Sequence, residues 1–479
     1  MNPVSGLSRR KQWIVTTRMS ARSRPGLALA TLCLASFMAS LDLFVVNVAL
    51  RDIGVRFGGD ALANASWVLN AYSIFFGAVL IPAGRLADHF GRRQVFVIGL
   101  VIFTVSSLAC ALSPSFWVLV GLRCAQAVGA AVLVPASLGL VLTTLPEERV
   151  RHGVRVWSIT GAVAGATGPV VGGLLTQVDW RLVFLLNIPV GVTAIALTLL
   201  LIPATARRQG TTIPAPAEVV TIIVGLGALS LGVVKGPDWG WTSGRITAIW
   251  AVTIVAIGVF VLANRRAADP VIDLKLFRSR VFSSANAGMV LFSLSIVMTI
   301  LGMSLYLQQS WRWSAIATGA AIAPGPAFLF LTSQVVTRFG RRLPAGWATA
   351  AGFLVVGIGQ VLLIISITGH PGAHDYWTII FPGWVLTGIG SGLSLPTLTS
   401  SATADLPERA SAAGSAVIQV SRQFGTVLGT AALIAVIGKA ISTGETAPFL
   451  VAWWVAAGVC LVGALVALGI NQRHRSTAR

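Results

Sequence analysis

A helix needs about 20 mostly apolar residues to cross the hydrocarbon core of a bilayer, and this chain repeats such runs along nearly all of its 479 residues. They fall at 26–50, 64–83, 94–112, 116–142, 153–176, 182–203, 219–235, 246–264, 282–307, 315–334, 345–367, 377–398, 412–437 and 448–470. In lipid every backbone polar group must be bonded internally, so a spanning segment is a helix or part of a closed barrel. Runs this long without residue-by-residue alternation are helices. The pattern predicts an all-α integral membrane protein with 14 transmembrane helices. The seventh run, interrupted by Gly225, Gly227 and Gly232, is the shortest. The first follows a basic tail and passes small residues at Ala39 and Ser40, as a cleaved signal peptide would, yet it continues to Leu50. That exceeds an h-region of about 7–15 residues, so it reads as a retained first helix.

Charge then sets topology. Thirty-five Lys and Arg against fifteen Asp and Glu give a net charge of +20, which alone would fit a nucleic-acid binder. With the N-terminus in the cytoplasm, 26 of the 35 basic residues fall in tails and loops on the cytoplasmic side and 7 on the other. Cytoplasmic loops of membrane proteins carry this excess. The basicity therefore marks orientation, with both termini cytoplasmic and no nucleic-acid partner. A multi-pass protein of the cell membrane is expected, working as a monomer among its lipids. The four cysteines lie inside apolar runs without metal-ligand spacing.

The chain also repeats itself. Phe-Gly-Arg-Arg at 90–93 recurs at 339–342, an offset of 249. Farther on, GAAVLVPAS at 129–137 answers GSGLSLPTL at 390–398, LPEE from Leu145 answers LPER from Leu406, and Gly168 answers Gly429, all at an offset of 261. A constant offset through consecutive helices makes helices 1–6 correspond to helices 9–14. The expected organisation is a basic tail at 1–25, a six-helix bundle at 26–203, two inserted helices with their loops at 204–281, a second six-helix bundle at 282–470 and a tail at 471–479.

Charged groups inside spans cost about 2.5–3.5 kcal/mol at a helix centre, so each is a functional candidate. Three are present: Asp42 in helix 1, Arg123 in helix 4 and Arg422 in helix 13. At 1.5 Å per residue, Asp42 and Arg123 lie at depths differing by only about 4 Å, which allows them to pair. A carboxylate that gains and loses a cation is the minimal device for proton coupling; a permanent pair would merely lock helix 1 to helix 4. Arg422, near mid-membrane, either caps carbonyls in a cavity wall or attracts an acceptor-rich substrate. Gln308, Gln309, Gln419 and Gln423 add polar groups, and Trp67, Asn70 and Tyr72 mark one region of helix 2. Amide and aromatic side chains suit an amphipathic organic ligand, although tryptophans at span ends also serve as interfacial anchors. No nucleotide-binding Gly-rich loop is present. His370 and His374 flank Pro371 and Gly372 in an outer loop rather than on a helix face, and no organised nucleophile appears. An enzyme, a metal and a cofactor are not expected.

The motifs resemble those of the fourteen-helix drug:proton antiporters of the major facilitator superfamily. GRLADHFGRR at 84–93 is similar to that superfamily's signature between helices 2 and 3. LDLFVVNVAL at 41–50, LRCAQAVGAA at 122–131, GAVAGATGPVVGG at 161–173 and WRLVFLLNIPVG at 180–191 are similar to further family stretches. Helix 4 departs in having Ala127 where the family usually has Gly. The resemblance implies the major facilitator fold and proton-driven export of small amphipathic organic compounds by alternating access, with the proton gradient in place of a cofactor. Asp42 and Arg123 would couple protons, and Gly84, Asp88, Gly91, Arg92 and Arg93 would form a cytoplasmic gating loop. The second-half copy has Thr337 in place of Asp88, so this latch is expected on the first half only. Gly161, Gly165, Gly168, Pro169, Gly172 and Gly173 would form the helix 5 face against the opposite half. Asn47 and Gln126, within the matching stretches, complete the candidate substrate cavity with Trp67, Asn70, Tyr72, Gln308, Gln309, Gln419 and Arg422. Two alternatives remain: an exporter dedicated to one metabolite, antibiotic or lipid, and a non-transporting receptor or scaffold.

Overall fold

The structure, a computed structural model, describes residues 25–58, 62–203, 216–266, 274–339, 344–370, 375–404, 408–437 and 445–470. The expected terminal tails, His374 and the Gly-Arg-Arg end of the second Phe-Gly-Arg-Arg copy lie outside them. Long helices account for almost all of the described chain. In order they are α1 (Pro25–Arg56), α2 (Trp67–Phe90), α3 (Arg92–Ala111), α4 (Phe116–Thr144), α5 (Glu147–Thr176), α6 (Leu182–Leu201) and α7 (Pro216–Trp239). There follow α8 (Gly244–Arg266), α9 (Arg280–Gln309), α10 (Ala315–Ile322 and Pro324–Phe339), α11 (Ala345–Gly369), α12 (Phe381–Ala404), α13 (Glu408–Ile437) and α14 (Ala447–Ala467). Twelve are long and apolar enough to cross a membrane. In the other two, α2 and α5, the apolar stretches found among the described residues are Trp67–Leu80 and Val163–Thr176.

Local chemistry sets the ends. Ser115, Ser279 and Ser314 each accept a bond from the backbone N–H three residues on, capping α4, α9 and α10. Pro324 lacks the donor needed to continue the helix, and α10 is divided just before it. A π-helical turn at Tyr376–Ile380, capped by Asp375, leads into α12. A single residue, Gly91 at φ 100°, joins α2 to α3; that backbone conformation favours glycine.

Helix packing repeats with the sequence. In the first half α1 packs on α4, α5 and α6, α3 on α4 and α6, and α2 on α4. In the second half α9 packs on α12, α13 and α14, α11 on α12 and α14, and α10 on α12. Two seams join the halves, α5 against α10 and α2 against α13. Helices α7 and α8 form a hairpin, with α7 laid across the α2–α13 seam. There Leu226 meets Ile74 and Val427. Its partner α8 exposes Val252, Ile254, Val255 and Ile257, as a lipid-facing helix does.

The two ends of the molecule differ. Let the tail side be the end at which α1 begins, and the far side the opposite end. On the far side one continuous apolar core runs through both halves, from Leu41–Ile53 of α1 and Trp180 to Met298–Leu307 of α9, Trp384 and Trp453. On the tail side the core is split, one cluster around Ala28–Ala39 and Phe96 and another around Val281–Phe292 and Phe353. The α5–α10 seam shows where they part. Gly173 lies on the backbone of Ala315, and Gly319 on the carbonyl of Pro169. Gly165 still has Pro326 nearby, but Gly161 faces open space. The halves are sealed on the far side and separated by a cleft on the tail side.

This seam predicts two different glycine responses. A side chain at Gly319 must displace backbone, so Gly319→Val is expected to cost about 1–3 kcal/mol from overpacking. Gly161→Ala should leave the thermal unfolding of the purified protein unchanged. Equal shifts for the two variants would contradict the seam.

Candidate functional site

Four helices of the first half converge on the acid of α1. Asp42 is 1% exposed and Arg123 of α4 is fully buried. Arg123 Nη1 donates to Asp42 Oδ2 at 2.5 Å, while Asp42 Oδ1 accepts from Gln126 Nε2 and Asn187 Nδ2, both at 3.0 Å. Gln126 lies three residues beyond Arg123, so one face of α4 presents both; Gln126 Oε1 in turn accepts from Arg123 Nη1 at 2.7 Å. Ser107 of α3 accepts from Gln126 and Asn187 and donates to the carbonyl of Phe184. Arg123 also reaches the carbonyl of Val68 in α2, and its guanidinium lies 4.2 Å from the ring centroid of Tyr72. The result is an electrically neutral knot of α1, α2, α3, α4 and α6 at the depth where the tail-side cleft ends.

Not every polar group in it is satisfied. Among the described residues Arg123 Nη2, the Tyr72 hydroxyl and both amide atoms of Asn70 are buried without partners. Buried donors and acceptors in this condition cost about 1–3 kcal/mol each. They mark a place where water, ligand or a rearranged side chain improves matters. The second half has a neutral counterpart: Gln360 of α11 donates to Ser295 and Thr299 of α9, both at 2.8 Å.

The remaining candidates distribute over the halves. Asn47, half-buried, lies one turn before Arg51, whose Nη1 donates to the carbonyl of Gln308 across the far-side closure at 3.2 Å. Gln308 is buried against Ser304, and Gln309 Oε1 has no partner among the described residues. Trp67 packs at the far-side end of α2. Gln423 abuts Gly77 in the α2–α13 seam. Gln419, one turn before Gln423, is half-buried, and Arg422 is exposed.

In the loop between α2 and α3, Arg92 donates to the carbonyl of Gly139 at 2.9 Å and Arg93 to that of Leu199 at 2.8 Å. Both tie the turn to α4 and α6 of its own half, cations placed on helix carbonyls as electrostatics favours. Gly84 is in α2 near Pro135, and the Asp88 side chain lies outside the described residues. The helix 5 set divides. Gly168 and Gly172 press on Phe44 and Val45 of α1, within the same half. Gly173 and Pro169 touch the first segment of α10, Gly165 lies between Phe44 and Pro326 of the second, and a Cβ at Gly161 would meet nothing within 4 Å. Small residues here serve two helices at once, because α5 is wedged between α1 and α10.

Sequence reasoning missed Ser107 and Asn187. Asn187 was visible as the one polar residue in LLNIPVG; nothing distinguished Ser107 from the other hydroxyls that bond locally in these helices.

The family model for the Major Facilitator Superfamily matches residues 32–430. The methylenomycin A resistance protein of Streptomyces coelicolor is 32% identical over 85% of this chain and 85% of its own length. The multidrug resistance protein Stp of Mycobacterium tuberculosis is 32% identical over 85% of this chain and 75% of its own. The tetracenomycin C resistance and export protein of Streptomyces glaucescens is 30% identical over 87% and 77%. Among solved structures, a POT family transporter in complex with a thioalcohol-conjugated peptide superposes with a TM-score of 0.68 at 17% identity, covering 93% of this chain and 96% of that one. A bacterial homologue of the lysosomal transporter Spinster, described as inward-facing and unoccupied, gives 0.63 at 17% identity over 94% and 96%. These two likenesses concern the fold.

The knot predicts a strong coupling between its charges. Arg123→Leu strands a buried carboxylate and is expected to lower stability by about 3–5 kcal/mol, whereas the neutral double variant with Asp42→Asn should recover much of the loss. A double-mutant cycle on thermal unfolding measures it; additive effects would show that the two groups do not interact.

Proposed function

Since the chain belongs to the major facilitator superfamily and is a multi-pass membrane transporter rather than an enzyme, we propose that it is a proton-coupled exporter of small amphipathic organic compounds. The observation that carries this reading is Asp42, a fully enclosed carboxylate held by one cation and two amides at the blind end of the cleft. Proton uptake requires that Arg123 be drawn off and water admitted, which a movement of the halves would accomplish.

The basic loops put the tail side in the cytoplasm, so the present arrangement is inward-open. Substrate enters the cleft from the cytoplasm or the inner leaflet. The halves then rock about the α5–α10 and α2–α13 seams: the far-side core parts, the tail side closes, and substrate leaves outward. Water reaching Asp42 from outside protonates it and releases Arg123. On return to the inward-open state Arg123 re-forms its bond, expelling the proton into the cytoplasm. The α2–α3 turn, pinned by Arg92 and Arg93 to α4 and α6, moves with the first half as one body. Each charge carried across 100 mV contributes about 2.3 kcal/mol, roughly a fifty-fold concentration ratio.

A second reading has its own support. Two of the relatives are named for one antibiotic each, methylenomycin A and tetracenomycin C, and a dedicated exporter would use the same machinery. The range of compounds transported by the purified protein separates the two readings.

Asp42→Asn tests the coupling. In proteoliposomes the variant is expected to lose substrate-dependent proton movement and uphill accumulation while retaining downhill exchange of substrate. Proton-driven accumulation at the wild-type rate would refute the assignment.

A further inference from the structure

The fate of Arg422 sharpens the substrate class, an inference that rests on the exporter reading. Each side of α13 but one is occupied. Gln423 and Val427 meet α2, Gly425 and Gly429 meet the backbone of α9, and Val417 packs near Phe260 of α8 and Leu274. At 100° per residue the sector left over carries Gln419, Arg422 and Thr426, and it points between the two halves. Arg422 is exposed there although it lies near the middle of a 30-residue helix.

Its depth matters as much as its direction. Ile418, one turn earlier, belongs to the tail-side core of the second half, while Ala431 and Ile434 belong to the continuous far-side core. Arg422 therefore stands close to the blind end of the cleft. The repeat offset of 261 places it opposite Gly161 in the first half, the position on α5 that faces open space. One wall offers a cation, and the equivalent place on the other offers room.

No acid answers it. Among the described residues Arg422 has no ion-pair partner. Asp42 is turned into its own knot with three donors. Every other described carboxylate lies in a loop or within four residues of a helix end. An unpaired guanidinium at membrane depth is expensive, and it presents five donors in a planar fork suited to a carboxylate.

We propose that Arg422 anchors substrate and that the compounds exported are amphipathic organic monoanions. A carboxylate or similarly delocalised anionic oxygen pair binds the guanidinium fork, and the apolar remainder lies toward Gly161 and the half-buried ring of Phe44. Charge bookkeeping follows: one proton entering as one monoanion leaves moves two positive charges inward per cycle, against one for a neutral substrate. Export is then more sensitive to membrane potential for anions.

A matched panel tests this: 2-naphthoate, 2-naphthamide and 2-naphthylmethylammonium, offered to the full-length protein in proteoliposomes under an imposed pH gradient. Wild type is expected to carry naphthoate with a kcat/KM at least tenfold above the other two, and with the steeper dependence on membrane potential. Arg422→Gln should raise KM for naphthoate about tenfold or more, leave naphthamide within twofold, and be partly rescued by Arg422→Lys. Naphthoate binding to the purified protein, read by tryptophan fluorescence, should weaken in parallel. Equal handling of the three probes by wild type overturns the proposal, as does a loss in Arg422→Gln that is the same for all. If naphthoate binds in an Arg422-dependent way but no probe is driven by protons, the anchor stands and the coupled-exporter reading falls. If naphthoate does not bind, the anchor falls.

Discussion

The rest of the site depends on one interaction, the bond between Asp42 and Arg123 in a place from which water is excluded. Isolated, either charge would be untenable in such an enclosure; paired, they form a neutral unit that the apolar packing around them can enclose. Gln126 and Asn187 complete the enclosure by donating to Asp42 Oδ1, and Ser107 accepts from both amides. The pair also binds α1 to α4, and through Val68 and Tyr72 to α2. Protonation of Asp42 would loosen its three donors, one of them the guanidinium stacked on Tyr72, and so would be felt by five helices. On the proposed function, that reach is what would let a local event bias a rigid-body movement.

Most of the fold was legible because lipid imposes a coarse rule. All fourteen apolar runs coincide with long helices, and the shared offset of 261 is visible again as two sets of equivalent helix contacts. Twelve of those helices also meet the length and hydropathy required of a span. The joint at Gly91 was readable too, since only glycine tolerates that backbone without strain.

The site was legible in part, and the boundary is physical. Charges placed within spans announce themselves, so Asp42, Arg123 and Arg422 are legible in the sequence. Neutral hydrogen-bonding groups do not: Ser107 and Asn187 cost little in a helix and differ from dozens of similar residues only in what they face. Direction was the other hidden quantity. The glycines of α5 form a single stripe in sequence, but Gly168 and Gly172 seat α1 while Gly173 seats α10. Which neighbour a small residue admits is decided by tertiary packing, and a one-dimensional pattern does not contain it.

The duplication explains how the work is divided. Two bundles of equivalent topology enclose one cleft, yet the first half holds a charged knot where the second holds the neutral Gln360, Ser295 and Thr299 cluster. Where the first half has Gly161, the second has Arg422. If both halves carried an acid and a cation in the cleft, proton and substrate would compete for the same charges, and two pairs would have to break in each cycle. On the proposed function, placing a carboxylate in one half and a cation in the other would separate the two tasks in space. It would still leave them close enough, at the blind end of one cleft, for the movement that exposes one to expose the other.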